Sequence, residues 1–458
     1  MAIPRESRFG WWSVGFPAIN SVRRPRLPLR NLQSVRRMSR IILTTWGSLG
    51  DLHPIVALCL GLRDRGHDIV LATTEDYRTK VESLGLEFHA IRPALPVDPQ
   101  MVERCMNPKT GPKTVLKDII LDNVRATYDD LMVVAKTADF LVAHEIVYAA
   151  PLVAEVLNLR WASCALAPAT FFSAYEPIVI SAYPTLAKLH HLGPAINSWV
   201  VKLAKFATRS WGTPLYKLRK ELGVSPIQNP IVGNDKYSPY SVLALFSSVL
   251  GCPQPDWPSN VLMTGFTFYD GNREQHITPE LESFLNSGDP PVVFTLGSAA
   301  VNAPGDFYAE SVRAAIKLDR RAVLLLGKNS PPTNLPASIF ACDYAPYSKL
   351  FPRACAIVHQ GGIGTTAQAL RAGRPTLIVP YTLDQPDNAA RVQRLGTSRT
   401  IMREQYLVPK IVKELSELIE TPSYVAKSAE LGRIVRTESG VNAACDAIEK
   451  QLADVAIS

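Results

Sequence analysis

The sequence predicts an α/β protein with two parallel-sheet domains, one in each half of the chain. Three observations carry that prediction. Strand-like and helix-like segments alternate near the N-terminus, the alternation restarts near residue 291, and each half opens with a buried apolar strand that runs into a glycine-bearing turn. A chain of 458 residues accommodates two or three domains, at roughly 150 residues each. With 47% apolar and only 20% charged residues, the interiors are expected to be large.

The elements follow in order. Residues 41–45 (IILTT) read as a buried strand, and the turn WGSLG follows at 46–50. Leu52, Ile55, Val56, Cys59 and Leu62 then recur at helical spacing until Gly66 stops the helix. Residues 68–72 (DIVLA) are the next strand, completing a β-α-β unit. In the second half, residues 291–296 (PVVFTL) are a strand ending in the turn Gly297-Ser298. Further strands are expected at 322–326, 354–358 and 376–380, the last two flanking a glycine-rich turn and a helix. Residues 266–290, rich in Asp, Asn, Gly, Pro and Ser, read as a linker. About three amphipathic helices are expected after residue 405.

Charge and cysteine usage exclude several classes. The net charge of +8 resides in residues 1–40, which hold nine Arg and one acid, Glu6; the rest has 40 basic and 40 acidic residues. The body is therefore neutral and nucleic acid is not indicated. Residues 1–37 read as a disordered basic tail or as sequence upstream of a start at Met38, with an Arg-rich targeting peptide as the rival reading. No stretch is long and apolar enough to span a membrane. The seven Cys are scattered and odd in number, which suits reduced thiols in a cytoplasmic protein.

The densest chemical signal is HQGGIGTT at residues 359–366, after a strand and opening a helix. Its glycines admit a ligand close to the backbone, and the helix N-terminus offers free N–H donors that suit a phosphate. Thr365, Thr366 and His359 add side-chain donors. A tight strand–helix turn is the bland alternative. Asp384 and Gln385 fall just past a strand's carboxyl end, where open parallel sheets bind ligands. Residues 343–351 (DYAPYSKLF) present Tyr344 and Tyr347 for stacking on a base.

These residues resemble the donor-binding signature of family 1 glycosyltransferases, on the sterol, antibiotic and rhamnosyltransferase-like branch of the UDP-glycosyltransferase superfamily. The likeness runs from Tyr344 to Gly396, with a weaker match at 295–298, a second match in the N-terminal half at 44–54 (TTWGSLGDLHP), and a segment at 151–168 similar to the family's middle region. It implies a GT-B fold, two Rossmann-like parallel-sheet domains facing a cleft. The implied organisation is a tail over 1–37, an acceptor-binding domain over 38–265, a linker over 266–290, a nucleotide-sugar donor domain over 291–435, and a C-terminal helix over 436–458 packing back across the junction. It also implies roles. Tyr344 stacks on the nucleobase; His359, Gly361, Gly362, Gly364, Thr365 and Thr366 hold the pyrophosphate, with Ser298 as a second phosphate contact. Asp384 and Gln385 hold the donor sugar, and Asp51 is the catalytic base. The family's plant members carry an acid for the ribose where this chain has Ala367, with Gln368 as a substitute, so UDP and dTDP donors both stay open.

An acceptor hydroxyl needs a base to take its proton. Asp51 equally suits a helix cap, and His53 is the other candidate base. No Asp-x-Asp or His/Cys cluster occurs, so no metal and no cofactor are expected beyond the nucleotide sugar. His190 and His191 read as surface residues. Residues 192–222 read as a basic amphipathic helix or helix pair, with Leu192, Ile196, Trp199, Val200, Leu203 and Ala207 on one face. Such a helix suits a peripheral membrane contact or, more simply, a packed face beneath a solvated one. Phe171, Phe172, Tyr175 and Trp199 are candidates for an apolar acceptor pocket or for the core. The expected function is an inverting, metal-independent transfer of a hexose to a lipophilic acceptor. A nucleotide-sugar 2-epimerase and a catalytically silent sugar-nucleotide binder are the alternatives. A nicotinamide dehydrogenase is disfavoured because the first turn lacks G-x-G-x-x-G.

Overall fold

The computed structural model describes residues 38–180, 192–271 and 276–457. The tail over 1–37 and the histidines at 190 and 191 lie outside them. The N-terminal sheet is fully parallel, with seven strands in the order β3-β2-β1-β4-β5-β6-β7. These are β1 (Arg40–Thr44), β2 (Asp68–Thr73), β3 (Glu87–Ala90), β4 (Phe140–His144), β5 (Trp161–Ala165), β6 (Ser241–Ala244) and β7 (Val261–Met263). The second sheet is also parallel, with six strands in the order β10-β9-β8-β11-β12-β13. They are β8 (Val292–Thr295), β9 (Ala322–Leu325), β10 (Ile339–Cys342), β11 (Ala356–His359), β12 (Thr376–Ile378) and β13 (Ser398–Thr400).

Both sheets are buried on both faces, which explains why their strands read as unbroken apolar runs. In β1, Ile42 joins Val70 and Leu141 in one core, while Ile41 and Leu43 join Leu71, Phe140 and Val142 in the other. The register Ile41↔Ile69 and Ile41↔Phe140 keeps these sets on their own sides.

Helix α1 (Leu49–Arg63) buries Leu52, Ile55, Val56, Cys59 and Leu62, the expected face. Helices α2 (Pro194–Thr208) and α3 (Thr213–Glu221) form the expected pair. Helix α4 (Pro279–Asn286) corrects the linker expected over 266–290: its Leu281 and Leu285 pack with Val293 and Val323 in the second core. Composition hid it, yet Thr278 caps its N-terminus, Pro279 starts it and Glu280 suits its first turn. Helices α5 (Ile363–Ala372) and α6 (Gln385–Arg394) belong to the second domain. The three terminal helices are α7 (Val408–Glu420), α8 (Pro422–Thr437) and α9 (Gly440–Ile457). Helix α9 returns to α1, where Arg65 bonds Asp446 at 2.6 Å and Glu449 at 2.8 Å.

In both sheets the first strand has neighbours that continue in opposite directions through the sequence. This leaves a crevice at the carboxyl ends of β1 and β4, and another at those of β8 and β11.

Candidate active site

The N-terminal crevice is built by the turn after β1. Asp51 stands in the first turn of α1 and closes a capping box: its Oδ2 accepts from Ser48 N at 2.7 Å and from Ser48 Oγ at 3.1 Å. The helix-cap reading therefore holds, but it occupies one oxygen. Among the described residues, Oδ1 has no hydrogen-bond partner. Burial pushes the Asp51 carboxyl up, and the nearby His144 draws it back down.

His144, at the end of β4, is a site residue that the sequence did not reveal. Thr45 Oγ1 lies 3.2 Å from the Asp51 carbonyl and 3.1 Å from His144 Nδ1. The hydroxyl has one proton; if that goes to the carbonyl, Nδ1–H donates to Thr45. His144 Nε2 faces Glu145 Oε2 at 3.3 Å. Burial works against a charged His144, but Glu145 and then Asp51 outweigh it and raise its pKa. Burial opposes ionisation of Glu145, yet His144 and Lys236 hold it below the usual range. Lys236 is fully buried against the Thr170 and Ile231 carbonyls at 3.0 and 2.9 Å, and burial lowers it to about 8. No local motif marks this set, because its members come from three separate segments, the β1–α1 turn, the end of β4 and the turn at Lys236.

His53 sits differently from its sequence expectation as a base. Its Nε2 meets Lys80 Nζ at 2.9 Å, and its ring packs on Tyr269 at 5.1 Å between centroids. Burial, then Lys80, lowers it to about 3. The neutral ring thus spends the Nε2 lone pair on the lysine.

The second crevice is lined largely by backbone. Gly361 has φ +88°, and a Cβ there would lie 2.9 Å from Ile378 Cγ2 and 3.0 Å from the Gln385 carbonyl. Gly297 has φ +64°, and a Cβ would lie 2.2 Å from Gln360 Nε2; Ser298 follows in the same turn. Gly362 is the N-cap of α5 and offers no capping side chain, so the first N–H groups of the helix point out uncapped. His359 Nδ1 accepts from Gly361 N at 3.0 Å, which places the ring proton on Nε2. Burial lowers this histidine to about 3, so it is neutral. His359 Nε2, Gln360 Oε1 and Thr366 Oγ1 are buried without a partner among the described residues. Two of these, His359 Nε2–H and the Thr366 hydroxyl, are donors, and orphaned donors beside an uncapped helix start fit a diphosphate.

Asp384 and Gln385 flank the same turn. Asn388 Nδ2 ties them to it, donating to Asp384 Oδ2 at 2.7 Å and to the Gly361 carbonyl at 3.0 Å. Gln385 Oε1 accepts from Tyr381 N at 2.9 Å, leaving its amide nitrogen as the free donor. Burial and then Asp51 push Asp384 up to about 7. Asp51 thus acts electrostatically on Asp384 from the other domain. The two helix starts also meet, since a Cβ on Gly364 would lie 3.4 Å from Gly50 Cα.

Of the two candidate stacking rings, Tyr344 is 58% exposed. Tyr347 is half-buried, bonds Thr295 Oγ1 at 2.8 Å and stacks on Phe351, so it is structural. Gln368 Nε2 bonds Asp270 Oδ1 at 3.2 Å, and Arg371 grips the same carboxylate at 2.7 and 2.8 Å. Asp270 thus brings an acid beside the position where Ala367 lacks one. Phe171 leaves the candidate acceptor set, because it is core, stacked on Trp257 at 4.0 Å. Tyr175 and Trp199 are exposed. Among the described residues no group of three or more His, Cys, Asp or Glu side chains is arranged to hold an ion, and no helix is long and apolar enough to cross a membrane.

Comparison with known proteins gives the family and the fold. Residues 41–154 match the glycosyltransferase family 28 N-terminal domain, and residues 309–440 match the erythromycin biosynthesis protein CIII-like C-terminal domain. The chain is 34% identical over 428 residues to O-mycaminosyltylonolide 6-deoxyallosyltransferase of Streptomyces fradiae, covering 90% of this chain and 97% of that protein. It is 28% identical over 446 residues to a sterol 3-beta-glucosyltransferase of Gibberella zeae, covering 91% of this chain but only 30% of that longer protein. Among solved structures, the glycotransferase of kitacinnamycin superposes with a TM-score of 0.69 at 22% identity, covering 91% of this chain and 100% of that one, a likeness of fold. The chain belongs to the GT-B glycosyltransferases, in the group that holds antibiotic glycosyltransferases and sterol glucosyltransferases, and is a hexosyltransferase.

Proposed function

We propose that the chain transfers a hexose from a UDP- or dTDP-sugar to a hydroxyl of a lipophilic small molecule, a sterol, lipid or natural product, with inversion and without a metal ion. The observation that carries this reading is the meeting of the starts of α1 and α5 at Gly50 and Gly364, which sets the Asp51 carboxylate, in the first turn of one helix, beside the uncapped start of the other. Asp51 Oδ1 takes the acceptor's proton as its oxygen forms a bond to the anomeric carbon. The bond from that carbon to the diphosphate breaks on the opposite face, which inverts the centre. The negative charge that develops on the diphosphate meets the N–H groups at the start of α5, Thr365, Thr366 and His359 Nε2–H. Asp384 and the Gln385 amide hold the sugar hydroxyls, and Tyr344 stacks on the base. His53 serves Lys80 in this scheme.

The names of the relatives support a hexose donor and a natural-product or sterol acceptor. The test is a screen of UDP- and dTDP-hexoses against sterols, hydroxy fatty acids, macrolides and phenols, with EDTA present. Nucleoside diphosphate release and product mass are read together, and product stereochemistry is read by NMR. Acceptor-dependent turnover with an inverted anomeric centre supports the reading. EDTA-sensitive turnover would remove its metal-free part, and donor isomerisation without an acceptor would point to an epimerase instead.

A further inference from the structure

Helix α2 exposes its apolar stripe. A surface helix normally turns that stripe to the core and leaves polar residues outside. Here Ile196, Trp199, Leu203 and Phe206 share one face and are 47%, 70%, 66% and 77% exposed. The inward face holds buried Asn197, with Val201 and Ala204 packed behind it. Lys202, Lys205 and Arg209 flank the stripe, and Lys202 Nζ lies 4.6 Å over the Trp199 ring. Residues 192–220 contain six Lys or Arg and no acid. Among the described residues only Arg219 of these forms an ion pair, with Glu155.

We propose that this face docks on an anionic lipid surface. An exposed aromatic–aliphatic stripe with cations along its edge is what a helix lying in the headgroup plane needs. The apolar side chains enter the acyl boundary, and the lysines remain at the phosphates. Charge complementarity selects this occupant over a second copy of the chain. Two copies paired antiparallel through the stripe would bring their cationic flanks together without an acid to neutralise them. At 15 residues the helix is too short to span a bilayer, so it lies on it. The inference does not depend on the transferase reading, though it would place the enzyme where lipophilic acceptors dissolve.

The test is co-sedimentation of the full chain with phosphatidylcholine vesicles, alone or with about 30 mol % phosphatidylglycerol, at low and high salt. The expected result is binding to the anionic vesicles that weakens with salt. The double variant W199S/F206S should lower partitioning roughly tenfold or more, and K202E/K205E should abolish the preference for anionic lipid. All four side chains lie outside the catalytic machinery, so thermal midpoint and nucleoside diphosphate binding should stay at the parental level. Failure of the parent to bind anionic vesicles overturns the proposal, as does equal binding by both variants. A concentration-dependent dimer in sedimentation velocity that W199S/F206S dissociates would also overturn it, in favour of a second copy as the occupant.

Discussion

The two crevices share a topological origin and differ in material. Each lies where a parallel sheet reverses its strand order. The second is formed by backbone: a positive-φ glycine, an uncapped helix start and two orphaned donors within eight consecutive residues. The first is formed by buried ionisable side chains, Asp51, His144, Glu145 and Lys236, which meet only in the fold. A backbone site holds a ligand whose charge is already present. A side-chain site moves a proton. Substitutions that separate binding from turnover should therefore separate the two crevices.

The largest effect is expected from Asp51→Asn. Asn can still accept from Ser48, so the helix cap survives and stability should fall by less than about 1 kcal/mol. Turnover should fall about a thousandfold while nucleoside diphosphate affinity, measured by calorimetry, stays within a factor of two or so. Retained turnover would move the base elsewhere and return Asp51 to a capping role. Gly361→Ala should do the reverse. The new methyl would meet Ile378 and the Gln385 carbonyl at a backbone angle that disfavours side chains. A loss of about 1–3 kcal/mol in stability and at least tenfold weaker diphosphate binding are expected, seen by thermal melts and calorimetry. Normal binding in this variant would break the assignment of the phosphate turn.

The same contrast explains what was legible in sequence. The strands of both sheets could be read because burial on both faces makes them continuous apolar runs. The HQGGIGTT turn could be read because its function is local. His144 could not be read, for it stands 93 residues after Asp51 (144 − 51) and meets it only because β4 pairs with β1. Helix α4 was masked by loop-forming composition, although Thr278 and Pro279 signalled its start. Tyr344 and Tyr347 look equivalent in sequence, yet only packing shows that Tyr347 bonds Thr295 and stacks on Phe351. The exposed stripe of α2 had the pattern of a core-facing helix, since periodicity identifies a face without saying which way it turns.

A smaller effect sharpens the role of the first crevice. Asp51 acts as a carboxylate, so turnover is lost as pH falls through its pKa. Burial raises that pKa and His144 lowers it, with Ser48 also lowering and Glu145 raising it. Asp384 in the second domain feels the charge of Asp51, and Lys236 that of Glu145. Replacing His144 by Gln removes the lowering contribution, so the acid limb of kcat should move to higher pH, by about one unit. Turnover above the limb should be largely kept. A uniform fall of kcat at every pH would instead mark His144 as a packing residue.

The smallest effect tests the rim of the second crevice. Tyr344 is its exposed aromatic, and stacking under a base contributes about 1–3 kcal/mol where the ring is well covered. Solvent reaches more than half of this side chain in the free protein, so the lower end applies. Tyr344→Ala should raise the donor KM about five- to tenfold and leave kcat nearly unchanged, because the base lies far from the bond that breaks. Tyr344→Phe keeps the ring and should behave like the parent. If alanine changes nothing while Tyr269→Ala weakens the donor, the base stacks on the ring that also packs against His53, and nucleotide binding then draws directly on the first crevice.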